Sequence, residues 1–130
     1  MKAIYIIIVF TTYLFGNSYE IKLYEMVFTK LFNKPIIKLF VDKNKREFKN
    51  SKILKIVNNC KEADIILLYK LENLKCENKP VFVTNYIDFI SSNAVGAFYW
   101  RKGRPQLILN KNMIECYHLH LDKSLLKYVK

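Results

Sequence analysis

Cys116, His118 and His120 fall at alternate positions in "CYHLHL", where this chain sets a thiol beside two imidazoles. In an extended backbone alternate side chains share one side, so the three would face away from Tyr117, Leu119 and Leu121. A thiolate with two imidazoles is a ligand set for zinc or copper. Successive ligands on one strand stand about 7 Å apart, so a tetrahedral site would need distortion or a further group. A polar edge opposite an apolar face explains the same spacing without a metal. We expect the polar edge, and no metal or other cofactor.

The second chemically dense stretch is "YWRKGRP", residues 99–105, which holds the single Trp and two of the three Arg of the chain. Trp and Arg supply most of the energetic anchors of protein interfaces. A guanidinium grips a carboxylate through two parallel hydrogen bonds, which an ammonium does poorly. Trp100, Arg101, Lys102 and Arg104 are therefore the expected partner-binding set, facing an acidic partner. The competing reading is a solvated turn with Phe98 and Trp100 alternating into the core, and a minor one is an anion site on the turn's backbone amides.

Catalytic patterns are missing. "SSN" (Ser91 to Asn93) has no G-x-S-x-G context and reads as a helix end. Glu62 and Asp64 flank the start of an apolar run, where capping or solvation is the ordinary role of a carboxylate. With Gly16, Gly96 and Gly103 as the whole glycine complement, neither a dinucleotide fingerprint nor a P-loop can be written. The expectation is a protein without enzymatic activity.

These residues must be carried by local structure. "YEIKLYEMVFTKLFNK" (residues 19–34) repeats apolar residues at steps of three and four, which predicts a helix stopped by Pro35. "IIKLFVD" is β-branched and short, a strand ended by the polar run "DKNKREFKNS". "KILKIV" leans toward strand, "NNCKEA" toward a helical turn. "DIILLY" has four consecutive apolar residues, as expected for a strand covered on both faces, and "PVFVTN" is another central candidate. "YIDFISSN" reads as a short helix. "VGAFYW" and "RPQLILN" flank "RKG" as a hairpin. "KNMIECY" is a short helix, "HLHL" an extended connection, and "DKSLLKYVK" a terminal helix with Asp122 as its N-cap. The order predicts an α/β fold: a three-layer mixed β-sheet with flanking helices and a C-terminal β-hairpin followed by two short helices.

The chain has 130 residues and a formal charge of +11. Met1-Lys2, the apolar run "AIYIIIVFTTYLFG" and small residues at Gly16 and Ser18 form a secretion-signal pattern cleaved after Ser18. The run is short for a membrane span, and an uncleaved anchor is the competing reading. Residues 1–18 are thus expected to be a leader and residues 19–130 a single domain. Nineteen Lys stand against three Arg, with twelve Asn, a mix expected from an AT-rich genome. The lysines look spread along the chain, so a solvated surface is expected and nucleic acid is not, with weak attraction to anionic headgroups left open. Cys60, Cys76 and Cys116 match no zinc motif. In an oxidising compartment Cys60 pairs with Cys76, leaving Cys116 as a small buried hydrophobe.

The second half of the chain resembles the YfiR family of small periplasmic regulators. The resemblance spans roughly residues 63–130 and rests on "ADIILLY", "KPVFVTN", Gly96, the turn "KGR", "LILN" ending at Asn110, "MIECYHLHL", and "DKSLLKYV" with Leu125 and Leu126. It implies a periplasmic, non-catalytic regulator that restrains a membrane-bound diguanylate cyclase, or similar sensor, by binding its periplasmic part. A homodimer is compatible with this role. The alternative is a small-ligand-binding or solute-sensing module in which Trp100, Tyr86 and Phe98 line the pocket. A cleft of several hundred cubic ångströms beside Trp100 would favour the second reading, and a filled core there the first.

Overall fold

The structure is a computed structural model that describes residues 19–130; the leader expected over residues 1–18 lies outside them. Helix α1 covers residues 19–32 and buries Tyr24, Val27, Phe28 and Leu31 along one stripe. Asn33 ends it in the left-handed conformation at φ 51°, a conformation Asn tolerates, one turn of chain before Pro35. Strand β1 (Ile37–Val41) then alternates, with Ile37, Leu39 and Val41 buried on one face. Strands β2 (Leu54–Ile56), β3 (Ile65–Leu68), β4 (Val81–Val83), β5 (Gly96–Arg101) and β6 (Arg104–Leu109) complete one sheet. Its order is β2-β1-β3-β4-β5-β6. Every neighbouring pair is parallel except β5 and β6, the hairpin. The mixed α/β sheet expected from the sequence is therefore the observed one.

All four residues of β3 and all three of β4 are buried, because both faces of the sheet are covered. On one face α1 packs its stripe against Leu39, Ile65, Leu67, Phe82 and Phe98, joined by Ile114 of α3 (Lys111–Cys116) and by Leu125. Tyr24, Phe28, Phe82 and Phe98 form a ring cluster there, with Phe28 and Phe82 edge to face at 5.1 Å. On the other face Phe89 of α2 (Tyr86–Ser91), Cys76 and Ala63 cover Ile66, Leu68, Val83, Ala97 and Ile108. Cys60 and Cys76 are joined on that side, with their Cα atoms 6.1 Å apart.

Gly96 pairs with Phe82 across β4 and β5. A Cβ there would stand 2.5 Å from the Phe82 ring and 2.9 Å from the Ile108 carbonyl oxygen, so only glycine fits. The free edge at β6 is blunted in two ways. Pro105 offers no N–H, and the C-terminal segment covers Leu109, whose carbonyl accepts the Lys130 N–H.

The polar run that ends β1 contains a 3-10 turn, Lys45–Phe48, that drives Phe48 into the core beside Tyr24. Two local expectations are corrected. The terminal segment Lys123–Tyr128 is a 3-10 helix, though Asp122 does cap it by accepting the Ser124 N–H. Cys116 is exposed, not buried, because it closes α3 while Ile114 takes the position facing the sheet.

Candidate functional site

The hairpin is built from a two-residue turn, Lys102-Gly103, with φ of 52° and 74°. Both values are positive, as a type I′ turn requires, and glycine supplies the second at no steric cost. Arg101 and Arg104 thus face each other across the last rung. Both are exposed, and neither makes an ion pair among the described residues. Alternation places Phe98 and Trp100 on the same face, and there they part. Phe98 is 3% exposed, whereas Trp100, one rung further out, is 50% exposed. The indole is nevertheless held. Its edge meets the Phe98 ring at 5.9 Å, and its Nε1–H donates to Glu20 Oε1 of α1 at 2.7 Å. The competing reading, in which both rings alternate into the core, holds for Phe98 and not for Trp100, whose ring rests on the core without entering it.

A cleft of about 540 Å³ opens beside it, lined by Thr84, Asn85, Tyr86, Ile87, Tyr99, Trp100 and Arg101. A smaller one of about 200 Å³ brings in Glu20, Tyr24, Tyr69 and Phe98 and shares Thr84, Tyr99 and Trp100. Both lie where β4 and β5 end. In open α/β sheets ligands settle outside the carboxyl ends of the strands, above all where the winding reverses. Here the winding reverses between β1 and β3, and that crevice is closed by its own side chain. The Asp42 carboxylate accepts the N–H groups of Tyr69 and Lys70 and the Asn73 side-chain amide. The open cleft is displaced to β4 and β5, where Asn85 caps α2 by accepting the Asp88 N–H and so holds Tyr86 at the cleft wall.

Cleft side chains come from both faces of the sheet because the site sits at its end. Tyr99, which alternation directs away from Trp100, still reaches it and packs on Tyr86 at 5.9 Å. Lys130 lies over the Tyr86 ring at 5.1 Å and donates to its hydroxyl, a contact that raises the pKa of the ammonium. Tyr69, Tyr99, Glu20 and Lys130 were not among the residues expected from the sequence. No local pattern marks them, since their proximity depends on the strand order.

Burial, with Glu47 adding to it, pushes the Tyr69 hydroxyl up to about 12. Burial also raises Tyr24. Both phenols are therefore neutral hydrogen-bonding groups at ordinary pH. For a phenol raised on folding, the unfolded chain loses its proton first, so the native state is fully stabilised below 10 and loses that stabilisation as pH rises through about 12. Denaturant melts over that interval should show falling stability, and Tyr69→Phe should flatten the fall. An unchanged slope in the variant would remove Tyr69 as its source.

The Cys116, His118, His120 set is not assembled. Cys116 is the last residue of α3, and His118 takes φ 57° in the left-handed C-terminal cap, with the Leu119 N–H returning to the Ile114 carbonyl. The extended spacing that would align the three side chains is lost, and the described residues contain no cluster of three or more metal-binding side chains. Among the described residues no helix is long and apolar enough to cross a membrane.

No protein-family model matches the chain, and no curated protein matches its sequence.

Proposed function

We propose that this protein is an exported, non-catalytic regulator of the YfiR type, which acts by contact with the extracytoplasmic part of a membrane-bound signalling protein such as a diguanylate cyclase. The observation that carries the reading is the state of Trp100. A half-exposed indole is fixed from beneath by Glu20 and Phe98, and beside it stand two guanidinium groups that make no ion pair among the described residues. An interface anchor of this kind costs little entropy to immobilise on binding. Around it Tyr86 is 37%, Ile90 61% and Ile87 72% exposed, so α2 extends the surface with apolar side chains that contribute little to the core. Such a patch on a small domain marks an interaction site. The leader pattern and the joined Cys60–Cys76 pair support export.

A second reading is favoured by one observation: the cleft of about 540 Å³ has the size of a small-molecule site, and the core beside Trp100 is not filled. In that reading a solute occupies the cleft and its presence is the signal. The cleft also fits a protruding side chain of a protein partner, so both readings place recognition at the same residues.

The test is capture from a detergent-solubilised inner-membrane fraction with the chain of residues 19–130, read by mass spectrometry. The expected result is recovery of a membrane sensor by the wild-type chain and its loss with Arg101→Ala/Arg104→Ala, while the melting temperature of that variant stays within about 2 °C. A clean blank with wild-type protein would refute contact regulation and leave the solute reading.

A further inference from the structure

The strongest feature outside the cleft lies at the opposite edge of the sheet. Residues 43–55 hold six of the 22 Lys and Arg of the chain, against the single carboxylate of Glu47. All six cations are exposed. The expected even spread of lysine along the chain is therefore corrected: this stretch groups its cations already in the sequence. Lys49, Lys52 and Lys55 line one open groove of about 360 Å³ together with Ile36, Phe48 and Leu54. No carboxylate lines it, and none of the three lysines is in an ion pair among the described residues.

The local chain geometry explains the convergence. The 3-10 turn and Ser51, whose hydroxyl accepts the Ile53 and Leu54 N–H groups, fold the segment back so that β2 can pair with β1. Phe48 and Leu54 are thereby drawn inward, and the lysines between and beyond them are left on the outside. Guarding a short free strand accounts for a lysine on β2. It does not account for Ile36, 54% exposed in the same groove. Several ammonium groups around an exposed aliphatic side chain complement a surface of phosphate headgroups over hydrocarbon, where each cation near an anionic leaflet contributes about 1 kcal/mol.

We infer that the β2 edge, through Lys49, Lys52, Lys55 and Ile36, docks this protein on an anionic phospholipid surface. The surface would hold the chain beside a membrane-bound partner and leave the Trp100 end of the sheet free. The inference rests on the export reading for its location, but its chemistry does not depend on the partner.

The test is sedimentation with phosphatidylcholine vesicles, with and without about 30% phosphatidylglycerol, at low and physiological salt. The wild-type chain should partition onto the anionic vesicles only, and less at higher salt. K49E/K52E/K55E should lower the partition coefficient at least roughly tenfold, whereas K61E/K111E/K123E, with the same net charge but changes outside the groove, should keep it within about threefold. If the charge reversals do not fold, K49Q/K52Q/K55Q replaces them. Three results would overturn the inference: equal partition onto neutral vesicles, equal loss in both variants, or saturable binding of a glutamate-rich peptide without binding to vesicles. Partner capture that survives K49E/K52E/K55E separates this surface from the Trp100 face. A wild-type chain that captures no partner yet binds anionic vesicles would count against the regulator reading and leave lipid docking standing, whereas loss of capture in K49E/K52E/K55E alone would assign these lysines to the partner and overturn lipid docking.

Discussion

Replacing Phe82 by Ala should lower the unfolding free energy by about 3–5 kcal/mol, the range for emptying a fully buried aromatic site. Phe82 is 0% exposed, and its ring meets both Tyr24 and Phe28 edge to face. Its other edge occupies the space that a Cβ on residue 96 would need. Truncation thus removes the contact between α1 and the centre of the sheet, and also the wall against which β5 is set. For a domain whose whole stability is about 5–15 kcal/mol this is a large fraction, and the melting temperature should drop by roughly 10–20 °C. The damage should reach the site, since Glu20 and Trp100 are joined across the same interface between α1 and β5. Thermal melts followed by circular dichroism give the answer, with Trp fluorescence as a site-specific second probe. A change below about 1 kcal/mol would mean that α1 does not pack on this face as described.

Removing the cysteine bridge should cost nearly as much. Cys60 and Cys76 are 16 residues apart, and closing a loop of that length restricts the unfolded chain by about 3 kcal/mol. The bridge ties the 3-10 turn before β3 to the loop before β4, so it clamps the starts of two adjacent parallel strands. C60S/C76S should therefore melt well below the wild-type chain. Reducing agent should lower the wild-type melting temperature to a similar value and leave that of the variant unchanged. Insensitivity of the wild-type protein to reductant would show that the two thiols are not bonded in solution, and the case for an oxidising compartment would weaken with it.

Much of the scaffold is legible in the sequence because its signals are local. The apolar stripe of α1, the unbroken run of β3 and the positive-φ glycine of the hairpin each specify their element within a few residues. What escaped is non-local. Phe48 lies in a stretch with the composition of a loop, and only the tertiary demand for an aromatic beside Tyr24 pulls it inward. The "HLHL" segment keeps its alternation in burial, with Tyr117, Leu119 and Leu121 packed on the core and His118 and His120 exposed, but its first residue takes a left-handed φ to close α3, so the backbone there is not extended. Trp100 obeys its alternation and is still half exposed, because the hairpin outruns the helix that covers its inner rungs.

The candidate site divides along the same line. Trp100, Arg101, Lys102 and Arg104 stand out by composition in one turn. Tyr69, Tyr99 and Glu20 come from three separated segments, and only the order β3-β4-β5 and the overlying α1 bring them to one end of the sheet, while the Lys130 side chain reaches Tyr86 from a backbone held against Leu109 of β6. The closure of the winding-reversal crevice by Asp42 is equally invisible in sequence, since its three donors lie about thirty residues downstream.

The claim on which the functional account stands is that an indole, held half out of the core at the end of β5, is where another molecule is recognised. Isothermal titration of the captured sensor's extracytoplasmic part into the wild-type chain and into Trp100→Ala measures this directly. The account predicts an affinity at least roughly thirtyfold weaker for the variant, the loss of an aromatic anchor worth about 2 kcal/mol or more, with its melting temperature nearly unchanged. Equal affinities in two equally folded proteins would contradict it.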